Sequence, residues 1–199
     1  GTKEGSEVMG RVDNGVVVVF SVVSVEELAA WSVSVVGEVT RVGLADLIIG
    51  ARGDDPNGEY SGASFVVFGK TDGTAVELSA IEGSDNAGGF VINGITLGDQ
   101  SGKSISSAGD VNGDGLDDVI IGAPEATIFE NSQAGASFVV FGKKDGTAVE
   151  LSAIETSNSG FVINGSTTSE MSGLSVSGAG DINGDGIDDF IIGAYRAST

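Results

Sequence analysis

The chain repeats itself. "GASFVVFGKTDGTAVELSAIE" over Gly62–Glu82 returns as "GASFVVFGKKDGTAVELSAIE" over Gly135–Glu155, with Thr71 against Lys144 as the only difference. "FVING" stands at Phe90 and again at Phe161, and "DDVIIGA" at Asp117 is matched by "DDFIIGA" at Asp188. These offsets give a period of 71 to 73 residues. Self-similarity at such a period marks architectures in which each unit buries its apolar face against a neighbouring unit. A decayed copy comes first: "SVSVVGEVTRVGLADLIIGA" (Ser32–Ala51) aligns without gaps on "SVSGAGDINGDGIDDFIIGA" (Ser175–Ala194). The opening "GTKEGSEV" resembles "GKKDGTAV" from Gly142, so the chain holds about two and three-quarter repeats. The division is a degenerate first repeat at 1–68, a second at 69–141, and a third at 142–199 that is incomplete at its end. Residues 8–31 are rich in Val and match the repeat poorly; nothing in the sequence explains the divergence.

Each repeat offers about four strand-like pieces. In the second they are Phe90–Ile92, Ser104–Ala108, Val119–Gly122 and Ser137–Phe141, separated by Asn-Gly, Asp-Gly and Gly-rich turns. The chain has 33 Gly and only 2 Pro, with Val, Ile and Phe plentiful, a mixture that favours strands joined by tight turns. No segment keeps a 3.6-residue apolar period, so helices are few, with one helical turn expected at each "AVELSAIE". The predicted fold is all-β: four-stranded antiparallel units packed face to face, about three of them.

Charge narrows the partners. The formal net charge is −20, which disfavours nucleic acid and anionic membrane surfaces and makes cations the natural counterpart. With no Cys and no His, disulfides, thiol catalysis, His-ligated haem and Cys/His zinc sites are excluded. Gly15–Val25 is too short to span a bilayer, and it lacks the basic flank and cleavage site of a signal peptide. Either the mature form begins here or the chain is a piece of something longer.

Two stretches carry the chemistry, "GDVNGDGLDDVIIGA" at Gly109–Ala123 and "GDINGDGIDDFIIGA" at Gly180–Ala194. Asp110, Asn112, Asp114, the carbonyl of Leu116 and Asp118 take positions one, three, five, seven and nine of a loop. Asp181, Asn183, Asp185, the carbonyl of Ile187 and Asp189 take the same positions in the other. When the backbone curls, alternate positions turn toward a common centre, and the interleaved glycines permit that curl. Oxygens so gathered suit Ca2+, which takes six to eight of them at about 2.3–2.6 Å; Mg2+ demands stricter octahedral geometry and is the weaker candidate. Without a cation the carboxylates repel one another. An ordinary Asp/Asn/Gly turn explains one such stretch poorly and two at repeat spacing worse. An EF-hand is rejected, because position twelve is Ile121 or Ile192 rather than a bidentate Glu and a β-rich run follows. In the decayed copy the loop reads Glu38, Thr40, Val42, Leu44, Asp46, and weak or absent binding is expected there.

"DVNGDGLDDVIIGAP" followed by "ASFVVFG" resembles the FG-GAP repeat of integrin α-subunit β-propellers and their bacterial relatives. Phe68-Gly69 and Phe141-Gly142 match the FG half and Gly122-Ala123-Pro124 the GAP half, with "GAR" at Gly50 and "GAY" at Gly193 as departures. The resemblance runs from about Ser32 onward. It implies that each repeat is a propeller blade, that the two nine-residue loops bind Ca2+ through the positions named above, and that the chain acts outside the cell or on its surface. Adhesion, ligand binding, scaffolding or service as an accessory domain of a secreted enzyme are the implied roles. Propellers close with about four to eight blades, so three cannot form a complete ring alone. A fragment of a longer propeller, a ring of several chains and an open filament-like array all remain. The last blade lacks its own "SFVVF" strand; a neighbouring chain or Val16–Phe20 is expected to fill the gap, since a sheet edge is a template for pairing.

Catalysis is not expected. No His is present as a base, no nucleophile elbow has strand–helix context, and no Walker lysine follows a glycine loop. "RGDD" at Arg52–Asp55 contains the tripeptide that integrins recognise, and a solvated loop is the plainer explanation.

Overall fold

The computed structural model describes residues 6–12, 16–22, 31–40, 43–72, 76–82 and 88–197, with the side chains of 6–22 excepted. The match of the opening "GTKEGSEV" to the repeat therefore lies largely outside the described residues.

Sheets form where the sequence places apolar β-branched runs between glycine turns. β1 (Ser6–Val12) and β2 (Val16–Val22) pair antiparallel as a hairpin of their own. Next come β3 (Ser32–Val36), β4 (Asp46–Ala51), β5 (Ala63–Val67) and β6 (Gly89–Asn93), the sequential antiparallel strands of the first blade. The second blade is β7 (Ser104–Gly109), β8 (Asp118–Ala123), β9 (Ala136–Val140) and β11 (Gly160–Asn164). The third holds β12 (Ser172–Gly180) and β13 (Asp189–Ala194). Among the described residues no sheet closes into a barrel, and the all-β expectation with propeller-like blades holds.

The strands cut the repeat at a different phase from the one the sequence suggests. Phe90–Ile92 belongs to β6, the outermost antiparallel strand of the first blade, and not to the sheet containing Ser104–Ala108. A periodic sequence can be divided at any phase; hydrogen-bonded neighbours alone select the unit. A second correction concerns Val16–Phe20. Its strand β2 pairs with β1, and among the described residues β13 pairs with β12 alone.

The two "AVELSAIE" copies diverge. The first forms a short helix, α1 (Leu78–Glu82). In the second, Val149–Glu150 becomes β10, which adds in parallel to the edge of β6, and a 3-10 turn follows at Leu151–Ala153. Glu150 strengthens this splice between blades by accepting from Nδ2 of Asn93 at 2.6 Å.

Apolar faces meet between successive blades. Ile48, Val66, Phe90 and Ile92 of the first blade bury against Val119, Ile121, Phe138 and Val140 of the second. Ile120 and Val139, on the opposite face of the second blade, meet Phe190 and Ile192 of the third. Each Ile or Phe so buried contributes about 1.5–3 kcal/mol. α1 covers the remaining face of the first blade, with Leu78 and Ile81 against Phe65 and Val91. Ile120 is 0 % exposed against the third blade, and its equivalent Ile191, with no described blade packed on it, is 57 % exposed.

A backbone contact sets the spacing of the blades. The Ser32 hydroxyl donates to the Gly102 carbonyl at 2.9 Å, and the Ser104 hydroxyl donates to the Gly173 carbonyl at 2.8 Å. Gly122 is the glycine of the GAP motif, and a Cβ there would lie 2.0 Å from the Gly173 oxygen. Gly50 stands in the same relation to Gly102, at 2.1 Å. Only a residue without a side chain lets the next blade approach this closely. Gly122→Val is expected to destabilise the protein by more than about 2 kcal/mol through overpacking against backbone, and Ser104→Ala by about 1 kcal/mol. Urea unfolding midpoints check both, and equal effects would show that the contact does not set the spacing.

Candidate metal-binding loops

Both acidic loops occupy the same place in their blades. Residues 110–117 join β7 to β8, and residues 181–188 join β12 to β13. Each is wound by its own side chains. Asp110 Oδ1 accepts the N–H groups of Gly113 at 2.7 Å and Asp114 at 3.1 Å, and its Oδ2 accepts Gly115 N–H at 2.8 Å. Asn112 Oδ1 accepts Asp114 N–H at 2.8 Å, and Asp114 Oδ1 accepts Leu116 N–H at 2.9 Å. Asp181, Asn183 and Asp185 make the same set with Gly184, Asp185, Gly186 and Ile187. Asn112 and Asp114 are exposed, Leu116 and Asp118 are buried, and the third-blade loop is the more open of the two. Among the described residues no group of three or more Asp, Glu, His or Cys side chains is gathered as for a metal, and the Asp110 carboxylate turns to the N–H groups of its own loop. The donor set nevertheless fits a hard cation, being entirely oxygen and including one amide and one backbone carbonyl per loop.

Position nine has a second task that the spacing did not announce. Asp118 is 0 % exposed. Its Oδ2 accepts Val111 N–H at 3.0 Å, and its Oδ1 accepts Gly142 N–H at 2.8 Å. It thereby latches the loop to the FG glycine beyond β9. Asp46 does the same in the decayed loop, accepting Val39 N–H at 3.1 Å and Gly69 N–H at 2.8 Å. The FG glycine is needed for this approach: a Cβ on Gly142 would lie 2.6 Å from Leu116 Cβ. The signal was present in the sequence, since Asp46 survives in a copy that has lost the amide at position three and the acid at position five.

Position eight was missed entirely. Asp188 Oδ2 accepts the Asp110 N–H at 3.0 Å, and Asp188 N–H donates to the Asp110 carbonyl at 3.3 Å. At the preceding junction Asp117 N–H donates to the Glu38 carbonyl at 3.1 Å, and the Asp117 carboxylate lies against Gly37. In the paired aspartates of each motif, the first therefore reaches back to the previous blade and the second latches its own loop.

Arg52-Gly53-Asp54 is not the free loop that sequence suggests. The Arg52 guanidinium stacks 3.7 Å from the Trp31 ring centre and donates to Gln100 Oε1 at 2.9 Å, and Gly53 is buried.

A family model described as FG-GAP repeat matches residues 102–140 and 172–199. The chain carries FG-GAP repeats. The matched segments coincide with β7–β9 and with β12–β13, in phase with the blades seen here. Integrin alpha pat-2 of Caenorhabditis briggsae is 31 % identical over 176 residues, covering 81 % of this chain and 13 % of the relative. Integrin alpha-4 of Xenopus laevis is 30 % identical over 159 residues, covering 79 % of this chain and 13 % of the relative. Integrin alpha-PS2 of Drosophila melanogaster is 34 % identical over 109 residues, covering 53 % of this chain and 7 % of the relative. The chain thus spans a small part of the length of these relatives.

Burial raises the Asp118 carboxyl to about 6, against the opposing pull of the Gly142 and Val111 N–H groups, with Asp114 and Asp110 adding to the rise. Burial also raises Asp46 and Asp99. The N–H groups of Gly186, Gly184 and Asp185 lower Asp181. A raised carboxyl binds its proton more tightly in the folded state, so its contribution falls as pH rises from the unfolded value of about 4 through the folded one. The lowered groups, Asp145, Glu170 and Asp181, act in the opposite sense, because their unfolded forms still hold protons at about pH 4, and that gain is nearly complete by about pH 5. With chelator present, unfolding free energy should therefore decline between about pH 5 and 7, by no more than about 3 kcal/mol from Asp118. Denaturant titrations at several pH values check this, and a rise over that window would refute it.

Proposed function

We propose that this chain is a non-enzymatic, calcium-binding segment of an extracellular β-propeller, serving an adhesion, structural or self-assembly role. One observation carries the reading: the same alternating pattern of Asp and Asn oxygens recurs at the same corner of two successive blades. Asp110, Asn112, Asp114, the Leu116 carbonyl and Asp118 would hold one ion. Asp181, Asn183, Asp185, the Ile187 carbonyl and Asp189 would hold the other. When bound, Ca2+ offsets the mutual repulsion of the carboxylates. The chain's own residues keep the loop wound meanwhile, and Asp118 keeps it latched to Gly142. Likeness to integrin alpha chains supports placing the segment outside the cell or on its surface. Among the described residues no helix is long and apolar enough to cross a membrane. The net charge of −20 argues against nucleic acid as a partner.

The exposed sheet edge at β13 offers pairing to another protein or to a second copy. An accessory or ligand-binding propeller fragment of a larger secreted protein or enzyme is the second reading. It is favoured by the chain covering only 13 % of its longer relatives.

Calorimetric titration with CaCl2 is expected to give two equivalents. Saturation at about a hundred times Kd should stabilise the fold by about 2.7 kcal/mol per site, and EGTA should reverse the gain in Tm. Asp114→Ala and Asp185→Ala should each remove one equivalent. Absent heat together with an unchanged Tm in millimolar calcium would overturn the metal reading. Sedimentation velocity addresses the edge: association that grows with concentration supports self-pairing, and a compact monomer throughout removes it.

A further inference from the structure

The geometry points to Asp188 as a positioning residue that couples the two loops, so that calcium at the third-blade loop tightens binding at the second-blade loop. This rests on the calcium reading above and adds a linkage between the sites. Asp188 adjoins Asp189, the ninth-position ligand of its own loop. Across the blade junction it holds Asp110, the first ligand of the neighbouring loop, through a reciprocal pair: N–H of Asp110 to Asp188 Oδ2 at 3.0 Å, and N–H of Asp188 to the Asp110 carbonyl at 3.3 Å. Gly109 makes room for this, since a Cβ there would lie 2.1 Å from the Asp188 carboxylate. One ligand of each loop thus shares a short, hydrogen-bonded piece of backbone. Ordering that piece around one ion reduces the ordering left for the other ion to impose, which is positive coupling by shared conformational entropy. Direct repulsion between two bound cations works the other way, so the sign is itself diagnostic.

The arrangement is specific to this junction. Asp117 makes the equivalent backbone bond to Glu38, but the loop it reaches is the decayed one. The decayed loop in turn carries Ala45 at position eight.

The test is a cycle on the full chain, using Asp185→Ala and Asp188→Ala singly and together. The amide NMR signals of Gly113 and Gly184 report each loop during titration with CaCl2. In the wild type both signals are expected to shift. Asp185→Ala should weaken binding reported by Gly113 at least about fivefold, the low end of usual coupling. With Asp188→Ala already present, Asp185→Ala should leave the Gly113 affinity unchanged. Asp188→Asn keeps an oxygen acceptor for the Asp110 N–H, so it should weaken the Gly113 site through lost charge yet retain the coupling. A purely structural Asp188 would lower Tm without altering the ratio. Unchanged or tighter Gly113 binding in Asp185→Ala would overturn the coupling, and that arm does not depend on Asp188→Ala folding. If neither amide responds to calcium in the wild type, the calcium reading fails and the coupling with it.

Discussion

Apolar burial between successive sheets is what the rest of the molecule depends on. A four-stranded sheet of this kind has two aliphatic faces, and neither can be covered by its own strands. Ile48 and Ile120 are wholly buried only because the next blade supplies Val119 and Ile121, or Phe190 and Ile192. Ile191 occupies the same register position and stays largely exposed. Stability is therefore shared between neighbours, as in other repeat architectures, and a lone blade has little of its own. The serine-to-glycine contacts at Gly102 and Gly173 fix how near the sheets can come, and the GAP glycines Gly50 and Gly122 make that distance possible.

The acidic loops sit on this frame and use it twice. Their carboxylates wind the loop locally, and in the second blade the ninth residue, Asp118, fastens it to the glycine after the third strand, as Asp46 does in the first. The same side chain is thus both a latch and a candidate ligand. That dual use accounts for Asp46, which persists where the amide at position three and the acid at position five are gone. The eighth residue faces outward from its blade and meets the previous loop. Metal chemistry and blade packing are consequently joined at Asp110 and Asp188 rather than held in separate regions.

Much of this was legible in the residues. The repeat, the strands within it and the two acidic loops could be read directly, because short apolar β-branched runs and Asp/Asn/Gly spacing are local signals. The phase of the blade could not be read. Phe90–Ile92 looks equally able to begin one unit or end another, and only its pairing with β5 assigns it to the first blade. The roles of Asp117 and Asp188 were hidden for a related reason. Their partners lie about one repeat away in the chain, where no local pattern reaches.

The sequence by itself determined the periodic all-β character, the oxygen-rich loops and the resemblance to FG-GAP repeats, since each is carried by residues close together in the chain. The tertiary structure decided what identical residues become. "AVELSAIE" is a short helix at Leu78–Glu82, while its twin at Val149–Ala153 is a strand and a 3-10 turn. The difference is the free edge of β6, which offers Val149 and Glu150 backbone partners. Among the described residues Val76 and Glu77 meet no such edge. Backbone hydrogen bonding to a neighbour, absent from any local pattern, outweighs the propensity the two copies share.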